Sequence, residues 1–391
     1  MVPIVEFMSD DIQRFRLDIP QQQLDELRYR LDNARWPAPL PGDDWDTGVP
    51  TGYLRELVDY WRTGYDWRAQ EATLNALGQF TTVIDGQTIY FLHVRSAEPN
   101  AVPLLLTHGW PGSVVEFLDL IGPLTDPAAH GGEPGDAFHV VIPALPGFGF
   151  SGPVTETGWT VRRIAETWVE LMSRLGYERF GVQGGDIGAA VSPEVGRVAP
   201  ERVIGVHVNG GGGSFPQLPL PADVMASLTE LERDRIRRIE AFMNEEFGYI
   251  AIQSTRPQTL AYGLVDSPIG QLAWILDKFR EWTHPRSTVP DKIVDRDRLL
   301  TNAMIYWLTA TPGSAAYVGY AQPAQWGAVA ANSGVPTGVI VFAHDVAIRR
   351  FDEAENTIVR WTDVDRGGHF AALEEPELLT ADVREFFRPL R

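Results

Sequence analysis

The sequence predicts an α/β fold built on a mostly parallel central sheet, with an inserted helical lid and an N-terminal helical extension. Three observations carry this prediction. Short apolar runs alternate with amphipathic helical stretches from about residue 100 onward. One of those runs ends in a glycine-flanked turn around Asp186, just before a helix start rich in small residues. A long segment of helical periodicity, roughly 214–330, then interrupts the alternation before the last strands resume.

The elements follow in order. Residues 9–40 read as a capped helix, with Leu24, Leu27 and Leu31 at helical spacing and a Pro/Asp cluster, Pro37 to Asp46, breaking it. A second helix, Thr51 to Thr63, carries Tyr53, Leu54, Leu57, Val58 and Trp61. Asp85-Gly86 joins two β-like runs, Phe80 to Ile84 and Thr88 to Arg95, as a hairpin. Buried-strand candidates are Pro103 to Thr107, Phe138 to Ile142, Arg179 to Val182, Val203 to Val208 and Gly338 to Phe342. Helices are expected between them, at Ser113 to Ile121 and Thr160 to Leu175 among others. The expected division is an N-terminal extension (1–95), a first core part (96–213), a lid (214–330) and a second core part (331–391).

Composition narrows the function. A chain of 391 residues that is 44% hydrophobic can bury a large core, as one domain with an insertion or as two. With 52 acidic against 33 basic residues the net charge is −19, which disfavours nucleic acid and anionic membranes as partners. The absence of cysteine excludes thiol nucleophiles and thiolate metal sites. The N-terminus shows neither a basic flank nor a long apolar run, so a cytoplasmic protein is the default expectation. No metal-ligand spacing is visible and no cofactor is expected.

Four pieces of chemistry occur in a consistent order. His108-Gly109-Trp110-Pro111-Gly112-Ser113 follows a strand, where the backbone N–H of Trp110 can help form an oxyanion hole. Asp186 occupies the nucleophile position of a G-x-[nucleophile]-x-G elbow, and the N–H of Ile187 is the second oxyanion donor. A carboxylate there suits attack on an electrophilic carbon such as that of an epoxide or alkyl halide, because the product is an ordinary ester. His369, after a β-like run (Thr357 to Val364), is the expected base, and Asp345, just past a strand, is the acid that orients it. Asp363, Asp365, Glu374 and Glu375 are the rival acids, and His108 is the rival histidine. An epoxide would also need a proton donor opposite the nucleophile. Tyrosine, with a pKa near 10, suits that role, and the lid carries Tyr249, Tyr262, Tyr306, Tyr317 and Tyr320.

At this point the chain resembles the microsomal and juvenile-hormone type of epoxide hydrolase, within the α/β-hydrolase superfamily and with its N-terminal epoxide hydrolase domain. The likeness spans nearly the whole chain. It rests on Ala34-Arg35-Trp36-Pro37, Gly52-Tyr53-Leu54-Arg55, Tyr60-Trp61 and Tyr65-Asp66-Trp67-Arg68 in the prefix, and on HGWPGS, GGDIG and GGHFAALEEPE in the core. The resemblance implies an α/β-hydrolase fold, with Asp186 as nucleophile, His369 as base, Asp345 as acid and Tyr249, in Gly248-Tyr249-Ile250, as one epoxide-activating tyrosine. The family's tryptophan after the nucleophile is Ile187 here. Its second tyrosine would fall on Gly319, with Tyr320 one residue on and Tyr317 two back, and Tyr320 is preferred. His108, Pro111, Tyr317, Trp274 and Phe370 are expected to line the substrate pocket.

The expected reaction is therefore conversion of an apolar, aryl or alkenyl epoxide and water to a vicinal diol, in natural-product biosynthesis or xenobiotic breakdown. Trp110, Phe148, Phe150, Tyr249, Trp274, Trp282, Trp307 and Trp326 suggest the aromatic pocket for such a substrate. Haloalkane dehalogenation shares the ester chemistry, although Ile187 lacks the indole a halide site would use. A degenerate member that only binds a ligand is the non-enzymatic alternative. The partners expected are a small epoxide and water, without nucleic acid or membrane, and the oligomeric state stays open, a homodimer included.

Overall fold

A computed structural model describes residues 11–391 except 43, 212–215, 217 and 323–329. Among the described residues, nine strands form one sheet in the order β1-β2-β3-β5-β4-β6-β7-β8-β9. The strands are β1 (Gln13–Arg14), β2 (Gln79–Ile84), β3 (Gln87–Val94), β4 (Val102–Thr107), β5 (Phe138–Pro143), β6 (Phe180–Gly185), β7 (Val203–Asn209), β8 (Pro336–Val341) and β9 (Thr357–Asp363). From β5 to β9 every pairing is parallel, whereas β1, β2 and β3 join antiparallel at one edge. β5, covered on both faces, is buried at every residue, as a continuous apolar run in a parallel sheet requires. The β2–β3 turn is made by Asp85 at φ 51° and Gly86 at φ 74°, the paired positive angles that match the twist of a tight hairpin.

Helices cover both faces. The helix Val161–Arg174 buries Ile164, Ala165, Trp168, Leu171 and Met172 along one stripe. Thr160 caps it by accepting from the N–H of Arg163. The expected helix over 9–40 is corrected to Gln21–Asp32, with β1 before it. Leucine spacing alone extends the helix too far, because Pro20 disfavours helical backbone at Ile19. The N–H groups of Leu17 and Ile19 bond instead to Asn75 Oδ1 (2.9 Å) and Glu71 Oε1 (2.7 Å). Those acceptors frame a third prefix helix, Trp67–Asn75, which begins on the Asp66 cap.

Between β7 and β8 the described residues form helices joined by turns, with helices at Glu230–Ala241, Gly248–Gln253, Pro257–Asp266, Pro268–Trp282, Arg296–Thr309 and Pro312–Ala321 among others. The prefix fastens onto this lid. Tyr53 Oη donates to Asp291 (2.7 Å), Tyr60 Oη donates to Asp297 (2.6 Å), and Tyr65 Oη shares a hydrogen bond with Thr301 Oγ1 (2.9 Å). The lid in turn ties to the core turn after β4. Asn302 donates to the carbonyl of Pro111 and Tyr306 to that of Gly112, both at 2.7 Å. Among the described residues no helix is long and apolar enough to cross a membrane.

Candidate active site

β6 delivers Asp186 at its C-terminal end, and the helix Ile187–Val198 starts at the next residue. Asp186 has φ 55° and ψ −121°, a region that non-glycine residues avoid at a cost of about 1–3 kcal/mol. The turn is tight enough that a Cβ on Gly184 would strike the backbone of Gly188, and one on Gly188 would strike the carbonyl of Thr107. Glycine at those two positions is what allows the aspartate to stand clear of β6. Asp186 Oδ1 accepts the Trp110 N–H at 2.8 Å, and the Ile187 N–H also bonds to this carboxylate. Both expected oxyanion donors therefore point at the Asp186 carboxylate, that of Trp110 at Oδ1.

Past β9 the Gly367-Gly368 turn brings His369 to the other oxygen, with Nε2 3.4 Å from Asp186 Oδ2. The His369 N–H donates to the carbonyl of Trp282 at 2.9 Å, so the lid helix helps to set the ring. Burial pushes the imidazole pKa down, but the hydrogen bond and charge of Asp186, with the charge of Asp345, outweigh it and set it at about 8. Burial likewise pushes Asp186 up, yet His369 and the two N–H donors hold it below the usual carboxylate range. The resting pair is thus imidazolium and carboxylate.

Asp345 sits in the turn after β8. Its Oδ2 accepts the Phe342 N–H at 3.0 Å, and its own N–H returns to the Phe342 carbonyl at 2.9 Å. Bonds from Ala343 N to Arg366 O and from His344 N to Gly367 O (both 3.3 Å) join this turn to the His369 loop. Burial raises the Asp345 carboxyl to about 6 against the opposing pull of His369. The rival Glu374 is occupied elsewhere, accepting the N–H groups of His284 (2.9 Å) and Phe370 (3.0 Å).

The lid brings Tyr249 over this site. Its ring stacks on Trp110 (5.0 Å, 13°) and leans on Trp282 (5.3 Å), and the Asp186 charge reaches its hydroxyl. A π-helical stretch, Phe242–Glu246, precedes its helix, an irregularity often found at functional sites. Tyr320 is not brought in. It is 46% exposed and its ring lies 5.6 Å from that of the half-buried Tyr317.

Other expected pocket residues divide. Trp274 approaches Trp110 edge-on at 6.3 Å, and Phe370 stacks on Phe279 at 4.0 Å beside His369. Pro111 is buried and offers its carbonyl to Asn302. His108 is 1% exposed, with Nε2 accepting from Leu145 N (3.2 Å) and Nδ1 bonded to Gly109 O (3.0 Å). It braces two turns, and burial lowers its pKa to about 4. Phe150 packs on Phe15 and Tyr90 and Trp307 lies under Arg30, so neither joins the aromatic wall, and Trp326 lies outside the described residues. The reading of the sequence missed Glu116. With Asp186, His369, Asn209, Phe117 and Phe370 it lines a small pocket of about 10 Å³.

The sheet order, the elbow and the lid define an enzyme of the α/β-hydrolase fold. Residues 102–251 match the family described as alpha/beta hydrolase fold, and residues 12–117 match the family described as epoxide hydrolase N terminus. A protein from Stigmatella aurantiaca is 45% identical over 381 residues, covering 96% of this chain and 85% of its own length. Epoxide hydrolase 1 of Sus scrofa is 33% identical over 412 residues, 97% of this chain and 89% of that protein. The crystal structure of juvenile hormone epoxide hydrolase from the silkworm Bombyx mori superimposes with a TM-score of 0.87 at 29% identity, over 98% of this chain and 96% of that one. The chain belongs to the epoxide hydrolases, enzymes that open an epoxide with water.

Proposed function

We propose that this enzyme opens a bulky apolar epoxide, of aryl or alkenyl type, through a covalent ester on Asp186. The observation that carries the reading is the division of labour on one carboxylate. Oδ1 is held by the Trp110 N–H, and Oδ2, 3.4 Å from His369, is the oxygen that attacks. Tyr249 is the proton donor to the epoxide oxygen, and Trp110, Trp274 and Trp282 supply an apolar aromatic wall around it.

Proton balance follows from the resting ion pair. Oδ2 forms a bond to the epoxide carbon as the C–O bond of the ring breaks, and Tyr249 protonates the new alkoxide. Loss of the Asp186 charge removes the main support of the His369 imidazolium, whose proton then restores Tyr249. The neutral imidazole is now the base for hydrolysis. Water adds to Asp186 Cγ as His369 takes its proton, and the charge on Oδ1 rests on the Trp110 and Ile187 N–H groups. Collapse expels the diol with a proton from the tetrahedral hydroxyl, and the ion pair returns. Asp345 favours the imidazolium that appears twice in this cycle.

A single turnover of styrene oxide in ¹⁸O-water tests the reading. Label in the Asp186 peptide with unlabelled diol is the expected result, because the water oxygen enters the carboxylate. Labelled diol would mean direct attack by water and would overturn the ester.

A further inference from the structure

The cycle above uses Asp186, His369, Asp345 and Tyr249, but it leaves one carboxyl beside the reacting atoms without a task. Glu116 follows the HGWPGS turn, in the short helical stretch Val114–Phe117 that Ser113 caps. A Cβ on Gly112 would collide with Glu116 Oε1, so the glycine fixes where this carboxyl lies. The cavity between Glu116, Asp186 and His369 has a volume of about 10 Å³. That is close to the roughly 10–15 Å³ that a single water needs. Phe117, Phe370, Ala371 and Ala372 make the rest of its wall apolar, while Asn209, whose Oδ1 is held by Gln183 Nε2 at 2.8 Å, adds one polar side. A water there has few polar partners to choose from.

We propose that Glu116 is a positioning residue for the second half-reaction, holding with His369 the water that hydrolyses the Asp186 ester. The inference rests on the ester reading. One water proton goes to His369 Nε2 and the other is held by the carbonyl oxygen of Glu116, which turns a lone pair toward Asp186 Cγ. The water O–Cγ bond forms as His369 takes one proton and keeps it, the Cγ–Oδ2 bond breaks so that Oδ2 leaves on the substrate carbon, the second water proton passes from the tetrahedral hydroxyl to that leaving oxygen to complete the diol, and Glu116 gains and loses nothing. Burial raises the Glu116 carboxyl to about 8, so it is uncharged at neutral pH and does not compete with His369 as the base. Glu374, the other buried carboxyl nearby, has its oxygens committed to backbone N–H groups and is no substitute.

The test is rapid-quench single turnover with mass spectrometry of the Asp186 peptide, on wild type and on the Glu116→Leu, Glu116→Gln and Ala371→Val variants. With Glu116→Leu, ester breakdown is expected to slow by roughly 10- to 100-fold. Ester then accumulates, kcat and KM fall together, and kcat/KM stays within about threefold of wild type. Glu116→Gln keeps a carbonyl acceptor and is expected to recover most of the breakdown rate. Ala371→Val crowds the same cavity, and it puts the question again should Glu116→Leu fail to fold. Unchanged breakdown in both Glu116→Leu and Ala371→Val would overturn the proposal, as would equal loss of ester formation and breakdown, which marks a mere brace of the turn. A wild type that forms no Asp186 ester, even when His369→Gln blocks breakdown, would remove the ester reading itself. Wild-type ester with normal breakdown in the variants would remove only the role of Glu116.

Discussion

His369 Nε2 lies 3.4 Å from Asp186 Oδ2, while the other oxygen, Oδ1, accepts the Trp110 N–H. In the proposed cycle the contact makes the histidine a store for the proton that ring opening consumes. Because Asp186 holds His369 at about 8, kcat/KM is expected to fall as pH rises through that value, when the free enzyme loses the imidazolium. The acid limb should lie below the ordinary carboxylate range of about 4, since Asp186 is held down. In Asp345→Asn one of the charges supporting the imidazolium is gone, so the alkaline limb should move to lower pH. A pH profile of kcat/KM on a chromogenic epoxide checks both. An alkaline limb that does not move in Asp345→Asn would detach Asp345 from His369.

Gly109 tests how closely the oxyanion donors are fitted to the nucleophile. A Cβ at this position would overlap Asp186 Oδ1 and its Cβ. Gly109→Ala must push the carboxylate off the Trp110 N–H. Loss of one such donor costs on the order of 10²–10³-fold in kcat. The variant is expected to fold, with overpacking of about 1–3 kcal/mol, and to lose activity on that scale. Circular dichroism and steady-state rates together separate a displaced nucleophile from an unfolded chain.

The parts of this site that sequence made legible are the local ones. A strand, a glycine-flanked turn and a helix start lie within a dozen residues around Asp186, and the geometry there is dictated by which side chains fit. Glu116 was not legible, because an acidic residue just past a turn has the signature of a solvated helix face. Only the return of His369 and Phe370 from the far end of the chain encloses it. The prefix helix was overextended for a related reason. Leucine spacing reports the buried face, but not that Asn75 and Glu71 take the N–H groups of Leu17 and Ile19. The register of Tyr320 depends on how the helix Pro312–Ala321 packs in three dimensions, which one residue of sequence offset cannot decide.

That register gives the third prediction. Tyr249 is enclosed by Trp110 and Trp282 and feels the Asp186 charge, whereas Tyr320 is 46% exposed beside Tyr317. Tyr249→Phe keeps the stacked ring and removes the proposed proton donor, so ester formation should slow by roughly 10²-fold or more with little change in thermal stability. Tyr320→Phe should stay within about threefold of wild type, as surface changes do. Pre-steady-state rates on the two variants check this. A large loss in Tyr320→Phe would mean that its helix turns inward when substrate binds.

The last prediction concerns the frame behind the site. Asp382, on the C-terminal helix Pro376–Phe387, is 4% exposed and gathers four donors from two strands. His207 Nε2 of β7 approaches its Oδ2 at 2.9 Å. Arg360 Nε (2.8 Å) and Nη2 (2.6 Å), with Thr362 Oγ1 (2.7 Å), donate to Oδ1 from β9. Burial opposes the charge, but His207, Arg360 and Thr362 more than offset it and hold the carboxyl far below its ordinary value. A depressed folded-state pKa contributes stability that is present above the unfolded value of about 3.9 and is lost as pH falls toward the folded one. Asp382→Asn leaves Arg360, 30% exposed, with only Glu385 (2.6 Å) as its anionic partner, so the loss is expected below the roughly 3–5 kcal/mol of a buried pair broken from one side. Urea unfolding at pH 7 should show that loss, and the gap between wild type and variant should narrow at pH 3. A gap that is the same at both values would mean that the network works through shape and not through charge.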